Sequence, residues 1–425
     1  MERVRIGVLG AYRGGSMIRY CTASENATVV AICDKEPSFL EQQKEKYPDL
    51  PITYYTDFAE FLRHDMDAVV LANYANEHAP FAIACLNAGK HVFSEVLPVQ
   101  CMKEAVELVE AVERSGKIYT YGENYCYMPA PCEMRKLYRA GKIGELEYAE
   151  GEYIHNCEPI WPEITYGDPN HWRNCRMYAN FYCTHSIGPL IHISGLRPVS
   201  VVGFEGTKNE RALRTGRVTG QFGIEMITLE NGAILKSIHG DLYKDSIWYS
   251  LYGSKGRMES AREDAEKDSI QMLYVNADEY SGEYAKRPVE AYKPTTMLPE
   301  QDKIFGHGGS DFYSMYHFVQ KILGDPNADT IDVYEALDMC LPGLFAYRSA
   351  LAGSKPVEIP NLRDKAVREQ YRNDTACTDP KVAKEQLLPP SINGTPEIHE
   401  SVYEDMRQKW AQKQAENAKQ EKSET

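Results

Sequence analysis

The sequence predicts a two-domain protein, with an α/β N-terminal domain on a parallel sheet and a C-terminal α+β domain on a mostly antiparallel open sheet. In the first third, short apolar runs alternate with amphipathic stretches, which is typical of parallel strands joined by helices. After about residue 145, strand-like runs follow one another with only turn signals such as Glu230-Asn231-Gly232 between them. That pattern favours antiparallel pairing. The predicted boundaries are 1–125 and 126–362, followed by a C-terminal extension over 363–425.

Five apolar runs define the strands of the first domain. They cover residues 4–9, 29–33, 66–71, 91–94 and 118–121. Apolar residues recur at helical spacing in 78–88 and 103–115, which predicts helices there. Ligands bind outside the carboxyl ends of the strands of an open parallel sheet. Glu95 and Glu123, which follow the fourth and fifth strands, are therefore expected at a binding crevice.

The second domain is predicted from another set of strand-like runs. They cover residues 145–154, 199–203, 221–229, 234–240 and 249–253. Residues 158–180, rich in Trp, Pro, Asp, His and Arg, are predicted to form an ordered loop of the kind that carries substrate contacts. The charged segment 261–299 fits an insertion with strands or a subunit contact, and 411–425 fits a solvated helix end or a frayed tail.

Composition narrows the class of protein. The formal charge of −15, from 47 basic and 62 acidic residues, disfavours nucleic acid and anionic membranes as partners. There is no apolar run of about 18 residues, and the first strand begins too early for a signal peptide. Eleven cysteines without a Cys-x-x-Cys pair fit reduced thiols. We therefore expect a cytoplasmic protein, assembled as a homodimer or homotetramer through the C-terminal sheet.

A glycine-rich turn, Gly10-Ala11-Tyr12-Arg13-Gly14-Gly15, follows the first strand. Such a turn aims backbone N–H groups and a helix dipole at a pyrophosphate. Asp34, at the end of the second strand, would bind the adenosine ribose and disfavour NADP, so NAD is the predicted cofactor of a Rossmann domain. Two alignments remain open: G-x-G-x-x-G with Tyr12 in the middle glycine position, or a loop one residue shorter in which Arg13-Gly14 approach the phosphate. An ordinary βα turn is the alternative.

Several motifs resemble a known group of sugar-oxidising proteins. Asn87-Ala88-Gly89-Lys90-His91-Val92, followed by Glu95 and Pro98, resembles the Gfo/Idh/MocA oxidoreductases. The set as a whole more closely resembles the NAD-dependent α-N-acetylgalactosaminidases of glycoside hydrolase family 109. In chain order, the motifs of that set are Glu95-Val96, Glu123-Asn124 with Tyr127, and residues 151–155, 182–189, 306–312, 331–334 and 356–360. The resemblance spans about residues 3–362.

The resemblance implies an oxidoreductase fold used for hydrolysis. A retained NAD⁺ would accept a hydride from C3 of a sugar, which acidifies the hydrogen on C2. A base removes that hydrogen, the aglycone leaves, water adds and the hydride returns, so there is no net oxidation. Many sugar dehydrogenases that resemble this chain carry a lysine where Val96 stands. The alternatives are an NAD-dependent sugar or inositol dehydrogenase, and a sugar-sensing regulator without catalysis, which Tyr12 in the phosphate loop would suit.

Histidine and tyrosine are the predicted proton carriers. Tyr153 and His155 alternate on a predicted strand and so face the same side, and Tyr182 and His185 would share a face if their segment is helical. Histidine titrates near neutral pH, and a phenol can act as a base when its pKa is lowered. By resemblance, His185 receives the C3 hydroxyl proton and Tyr153 or Tyr182 acts at C2. Glu123 and His155 would hold sugar hydroxyls or tune these groups.

The remaining predicted contacts concern the cofactor, the glycoside substrate and metals. The predicted cofactor contacts are Gly10, Tyr12, Arg13, Gly14, Asp34, Asn73, His78, Glu95 and Asn124. The predicted substrate contacts are Trp172, Arg173, Arg176 and His307. Arg173 and Arg176 would also suit an anionic sugar. No metal is predicted, because the spacings of His155, Asp168, His171 and His185 match no short metal motif.

Overall fold

The computed structural model describes residues 3–207, 210–262, 272–277, 290–298, 300, 305 and 307–424. It has the two domains expected from the sequence, each with its own sheet. Within those residues, no helix combines the length and apolar character that crossing a bilayer requires.

The N-terminal domain is a six-stranded parallel sheet in the order β3-β2-β1-β4-β5-β6. Its strands are β1 (Val4–Leu9), β2 (Ala27–Cys33), β3 (Thr53–Tyr55), β4 (Ala68–Leu71), β5 (His91–Ser94) and β6 (Tyr119–Tyr121). The parallel α/β prediction is confirmed, and each of the five predicted strands is present with ends shifted by two residues or fewer. β3 was missed because it has only three residues at the sheet edge, and none of them is fully buried.

Five helices cover the two faces of this sheet. They are α1 (Gly15–Ala23), α2 (Pro37–Lys46), α3 (Phe58–Leu62), α4 (His78–Asn87) and α5 (Met102–Ser115). Local sequence sets their ends: Asp57 caps α3 by accepting from Glu60 N–H at 2.9 Å, and α5 stops at Gly116, whose φ of 61° is left-handed. Such caps satisfy backbone groups that a helix end leaves unpaired.

The second domain is built on nine strands in the order β14-β13-β12-β11-β7-β10-β9-β8-β15. They are β7 (Leu146–Ile154), β8 (Pro198–Glu205), β9 (Phe222–Leu229), β10 (Ile234–Gly240), β11 (Ser246–Gly253), β12 (Gly256–Ser260), β13 (Leu273–Asn276), β14 (Glu290–Tyr292) and β15 (Val357–Glu358). Within the described part of this second sheet, β7 and β10 form the only parallel pair. The prediction of a mostly antiparallel sheet is therefore confirmed. β13 and β14 fall in the segment 261–299, of which 263–271, 278–289 and 299 lie outside the described residues.

Ten further helices follow α5 in the described part of the chain. Those of the second domain are α6 (Pro129–Arg139), α7 (Trp161–Thr165), α8 (Trp172–Cys175), α9 (Thr184–Ser194), α10 (Glu210–Arg214), α11 (Ser310–Ile322) and α12 (Val333–Leu351). Those of the extension are α13 (Lys365–Tyr371), α14 (Pro380–Ala383) and α15 (Glu400–Glu424). The loop predicted over 158–180 therefore contains two short helices.

Two of these helices deliver side chains to the crevice between the domains. The segment of α9 from Thr184 to Ile193 is buried throughout, and it lies against β7 at Gly151, where a Cβ atom would come within 1.9 Å of a backbone oxygen of α9. α11 packs on the first domain, with the ring of Phe318 centred 5.6 Å from that of Phe93. The second domain thus supplies helices to both sides of the crevice.

Candidate active site

A crevice of about 320 Å³ lies where the carboxyl ends of β5 and β6 face the second domain. Its size is that of a small-molecule site. The first domain contributes Glu95, Val96, Asn124 and Tyr125 to its lining, and the second contributes Tyr153, His155, Tyr182, His185 and His307, among others. Most of these positions come from the motifs singled out in the sequence.

A histidine–glutamate pair stands at the centre of the site. His185, in the first turn of α9, places its Nδ1 2.6 Å from Oε1 of Glu123, which is fully buried. The buried carboxylate accepts the Nδ1 proton and so leaves Nε2 as the ring nitrogen that can accept one from a ligand. Tyr249 fixes the same turn by donating its hydroxyl to the backbone oxygen of His185. Glu123 therefore lies behind His185 and positions it.

Three tyrosine rings surround His185. Ring centroids lie 4.4 Å away for Tyr125, 4.6 Å for Tyr153 and 5.1 Å for Tyr182. Tyr182 precedes α9, so the expected shared helical face is wrong although the expected contact is present. Burial raises the pKa of Tyr153 well above its ordinary value and raises that of Tyr182. With their pKa values raised in this way, both phenols keep their protons at neutral pH and are able to donate hydrogen bonds.

His155 lies at the rim of the crevice. It follows the last residue of β7, and its ring centroid is 6.1 Å from that of Tyr153, as the alternation in the sequence predicts. Its Nδ1 lies 3.3 Å from Oδ1 of Asp245, and the side chain is 40% exposed. A ligand can reach this imidazole without any rearrangement.

A group of charged and polar side chains is here named the floor cluster. It consists of Arg13, Glu95, Asn124, His307 and Asp311. Nη2 of Arg13 donates to Oε1 of Glu95 at 2.7 Å and to Oδ1 of Asp311 at 3.2 Å. Asn124 donates to Asp311 at 3.0 Å. The Nδ1 atom of His307 lies 3.3 Å from Asp311. Each buried carboxylate thus has a partner, and the Arg13 guanidinium, predicted to approach a phosphate, is instead held on the floor.

The pKa values within the floor cluster follow from these contacts. Burial works to raise the pKa of Asp311, but Arg13 and His307 outweigh it and hold that pKa well below its usual range. Burial works to lower the pKa of His307, and Asp311 outweighs it and raises that pKa. Burial raises the pKa of Glu95 against the opposing effect of Arg13.

The glycine turn takes the shorter of the two alignments. Gly10 has a φ of +97°, and a Cβ there would lie 2.4 Å from the oxygen of Ala72. A Cβ on Gly14 would lie 2.3 Å from the oxygen of Gly10, whereas one on Gly15 would meet nothing within 4 Å. The two required glycines are therefore Gly10 and Gly14. Tyr12 points outward, 48% exposed, and donates its hydroxyl to Glu163 of the second domain.

The carboxyl edge of the parallel sheet offers groups that fit a dinucleotide. Asp34 accepts from the N–H groups of Ala11 at 2.7 Å and of Glu36 at 2.9 Å, and each oxygen keeps further capacity to accept. Both side-chain amide atoms of Asn73, just beyond β4, are buried without a partner among the described residues. An acid after the second strand, two obligatory glycines and an orphaned amide suit NAD.

Besides Glu123 and the predicted cofactor contacts at the glycine turn and the sheet edge, three further predicted contacts lie outside the crevice lining. His78 is buried, with Nδ1 2.8 Å from the oxygen of Leu97. Burial lowers its pKa to about 4, so it is a neutral ring that supports the turn after β5 and is not a cofactor ligand. Arg176 donates to Asp379 of the extension at 2.5 Å. Trp172 is buried under the guanidinium of Arg173, 4.5 Å from its ring centre, while Arg173 itself lines the crevice.

Other functional residues were missed by sequence reasoning. Tyr125 and Asp311 lie inside quoted motifs but were not singled out. Arg217, Gln221, His239 and Asp241 also line the crevice. One feature of β10 could have indicated these residues. Ser237 and His239 are polar side chains at inward-facing, buried positions of the strand, and buried polar groups of this kind call for a hydrogen-bonding or functional explanation. Within the described residues, no group of three or more His, Cys, Asp or Glu is arranged to hold a metal ion.

Taken together, the sheet order, the glycine turn and the acid after the second strand define an NAD-binding Rossmann domain of the oxidoreductase type. Residues 4–123 match the Gfo/Idh/MocA family, described as an oxidoreductase family with an NAD-binding Rossmann fold. Over residues 4–123 the chain is thus similar to the Gfo/Idh/MocA oxidoreductases.

Relatives over most of the chain carry a second family name. A glycosyl hydrolase family 109 protein from Solibacter usitatus is 26% identical over 396 residues, covering 84% of this chain and 88% of that protein. One from Porphyromonas gingivalis is 27% identical over 405 residues, covering 85% of each. The fold is shared with scyllo-inositol dehydrogenase from Lactobacillus casei, whose structure holds NAD(H) and scyllo-inositol (TM-score 0.64, 18% identity, 84% of this chain and 99% of that one).

Proposed function

We propose that this protein is an NAD-dependent, redox-neutral glycosidase that oxidises its sugar transiently at C3. The observation that carries the proposal is the His185–Glu123 pair within a ring of tyrosines, beside the apolar Val96. No lysine is among the residues that line the described crevice. Proton transfer then falls to histidine and tyrosine. Names of relatives over 84–85% of the chain agree with this class of reaction.

His185 is the base for the C3 hydroxyl. Bound NAD, held at Gly10, Gly14, Asp34 and Asn73, would supply the acceptor and later the donor of the C3 hydride. Nε2 of His185 takes the hydroxyl proton, and Glu123 stabilises the resulting imidazolium through Nδ1. Oε1 of this carboxylate also accepts from Tyr125 N–H at 3.3 Å, and Oε2 has no hydrogen-bond partner among the described residues, so His185 is the ionisable group that Glu123 contacts most closely.

Tyr182 is the base at C2 in this proposal. Burial raises the pKa of both candidate phenols and Arg173 opposes that shift at both, but at Tyr182 its influence comes directly after burial, whereas at Tyr153 several raising influences are larger. The Arg173 guanidinium lies 5.5 Å from the Tyr182 ring centre. A cation so close favours the phenolate. Tyr153 then serves as a hydrogen-bond donor to the sugar.

A cover over the glycine turn suits a cofactor that stays bound through each turnover. Tyr12 of the turn donates to Glu163, and Nζ of Lys413 in α15 lies 3.0 Å from the same carboxylate. Trp410 of α15 packs on Tyr166 with ring centroids 5.3 Å apart. The loop after residue 158 and the C-terminal extension thus close over the cofactor edge, and a redox-neutral cycle has no need to exchange NAD.

The decisive experiment follows both products in D₂O. The absorbance and mass of any copurifying cofactor are recorded first, and a panel of nitrophenyl glycosides is then supplied. The expected result is release of nitrophenol without build-up of NADH, with deuterium at C2 of the free sugar. Tyr182→Phe should abolish C2 exchange, whereas Tyr153→Phe should retain part of it.

Two other outcomes would replace the proposal. Steady accumulation of NADH with free sugar and excess NAD⁺ would identify a sugar or inositol dehydrogenase, the activity named for the fold relative. Saturable sugar binding without turnover of any glycoside would identify a sugar-sensing regulator.

A further inference from the structure

The crevice has a second group of polar residues, of which the mechanism above uses only Arg173. It comprises Arg173, Arg217, Gln221 and Asp241, all in the lining, and is named the wall cluster. Arg173 belongs to α8, Arg217 follows α10, and the other two residues stand just before β9 and just after β10. These elements meet only in the folded chain.

Arg217 carries a buried charge that the protein compensates only in part. Its side chain is 4% exposed. Nε donates to Thr219 at 3.1 Å, but Nη1 lies 3.8 Å from the nearest carboxylate oxygen, on Asp241, and has no hydrogen-bond partner among the described residues. The other carboxylate oxygen of Asp241, Oδ1, accepts from Arg211. Burial lowers the pKa of Arg217, Asp241 opposes that shift, and the nearby charges of Arg173 and Arg211 add to it.

The side chain of Gln221 also lacks hydrogen-bond partners. Gln221 is 1% exposed, and both the oxygen and the nitrogen of its side-chain amide are buried without a partner in the described part of the chain. A buried polar group left without a hydrogen-bond partner destabilises the folded state. Such groups in native proteins have a ligand, an ion or ordered water as their partner.

Arg173 adds a second positive charge. Its guanidinium lies over the rings of Trp172 and Tyr182, and Nη1 lies 3.9 Å from the sulfur of Met177. Within the described residues it forms no ion pair with a carboxylate. The wall cluster therefore has two guanidinium groups, an amide donor and one carboxylate that is shared with a third arginine. The balance of charge and donors favours an anion.

We propose that the wall cluster binds the carboxylate of a glycosiduronic acid, so that the substrate is an acidic glycoside. This inference rests on the proposed function for the position of the sugar in the crevice. A planar carboxylate accepts two parallel hydrogen bonds from a guanidinium fork, and the amide of Gln221 can donate to the same group. A neutral hydroxymethyl or acetamido group at that point would leave the charge of Arg217 unpaired.

The test compares ligands that differ only in charge on the NAD⁺-saturated protein. Isothermal titration is carried out with glucuronate, galacturonate, the corresponding hexoses and hexose 6-sulfates. We expect at least one uronate to bind at least about tenfold more tightly than its hexose. Equal binding of acid and hexose, or absence of uronate binding, would overturn the inference. Tighter binding of the 6-sulfates would also overturn it, because the anion would then be tetrahedral.

Variants locate the anion. Arg217→Gln should remove the preference for uronates, and Arg217→Lys should restore part of it. Arg214→Gln is the matched control, because it removes one positive charge from the same region at a side chain that is 60% exposed, and it should leave the preference unchanged. If Arg217→Gln does not fold, the lysine variant still reports on the subsite, since it keeps the charge but loses the planar fork.

Failure of this inference can be told apart from failure of the proposed function. Uronate binding without C2 exchange on any glycoside would retain the acidic subsite and reject the glycosidase. C2 exchange on neutral nitrophenyl glycosides alone would retain the glycosidase and reject the acidic subsite.

Discussion

The floor cluster and the wall cluster border the same crevice, yet they pair their arginines differently. Arg13, whose side chain is 35% exposed, contacts two buried carboxylates, at 2.7 Å and 3.2 Å. For Arg217, whose side chain is 4% exposed, the nearest carboxylate among the described residues is that of Asp241, at 3.8 Å, and Asp241 is also paired with Arg211. In the floor cluster the protein itself supplies the partners of the charged groups, whereas in the wall cluster some charged and polar groups lack a partner.

The difference teaches how to separate structural charges from recognition charges. A charge taken out of water costs several kcal/mol unless its partners replace the lost solvation. Where the protein supplies these partners, the charged group stabilises the fold. The contact of Arg13 with Asp311 of α11, which joins the two domains, is of this kind. Where the protein leaves them out, the group is prepared for a ligand. Four predictions test this distinction.

The largest expected effect concerns folding. Arg13→Met should destabilise the protein by about 2–3 kcal/mol, because Glu95 loses its cation while Asp311 keeps only His307 and Asn124, and solvent partly screens the partly exposed Arg13. Arg217→Met, which has the same change in shape and charge, should alter stability by less than about 1 kcal/mol, because Asp241 keeps Arg211. Urea unfolding of both variants measures this. Equal destabilisation would make Arg217 a structural residue.

Between the two clusters, His185 should control turnover. His185→Ala is expected to lose at least about a hundredfold in kcat/KM, the usual effect of removing a general acid–base. It should also lower the thermal midpoint relative to His399→Ala, a control at an exposed histidine, because it leaves the buried carboxylate of Glu123 without its His185 partner. His185→Gln, whose amide can still donate to Glu123, should lose turnover with a smaller fall in the midpoint. Near wild-type turnover in His185→Ala would exclude this residue as the base.

Sequence alone predicted the framework of the site because its signals are local. The glycine turn, Asp34 and the motif around His185 each depend on a few consecutive residues, and the structure brings them to one crevice edge. The floor contact of Arg13 with Asp311 joins residues 298 positions apart, and no local pattern shows it. The sequence alignment therefore left Arg13 at the phosphate.

Apart from Arg173, the wall cluster was missed for the same physical reason. Arg217 and Gln221 lie in a short connection without a motif, and their lack of partners is a property of packing. His78 shows the converse, since the sequence suggested a cofactor contact and the structure buries the ring against the backbone of Leu97. The sequence predicts the chemical type of a side chain and the helix, strand or loop that carries it. The direction in which the side chain points depends on which partner, distant in sequence, it contacts.

A smaller effect is expected at the cofactor edge. Asp34→Ala should shift the ratio of NAD to NADP affinity about tenfold toward NADP, because a carboxylate that binds the ribose also repels a 2′-phosphate. Asp34→Asn is the matched control for the loop, because its amide oxygen can still accept from Ala11 N–H. The two affinities are measured by titration of cofactor-free protein. An unchanged ratio in both variants would mean that other residues hold the ribose.

The smallest expected effect is a pH dependence confined to the floor cluster. Asp311 raises the pKa of His307, so the stability that this pair contributes is complete below the ordinary histidine pKa of about 6.5 and is lost as pH rises through the raised value. Wild type should therefore exceed His307→Gln in stability at about pH 5.5 but not at about pH 9. The difference should stay below about 1 kcal/mol, because His307 is 38% exposed and solvent screens the pair.

In the wall cluster the corresponding comparison should be flat. The guanidinium of Arg217 does not titrate in this range, so the stability difference between Arg217→Met and wild type should be the same at both pH values. Thermal unfolding of the cofactor-free proteins at the two pH values provides the measurement. If Arg217→Met reproduced the pH response of His307→Gln, the two clusters would be electrostatically coupled, and the separation of floor from wall would fail.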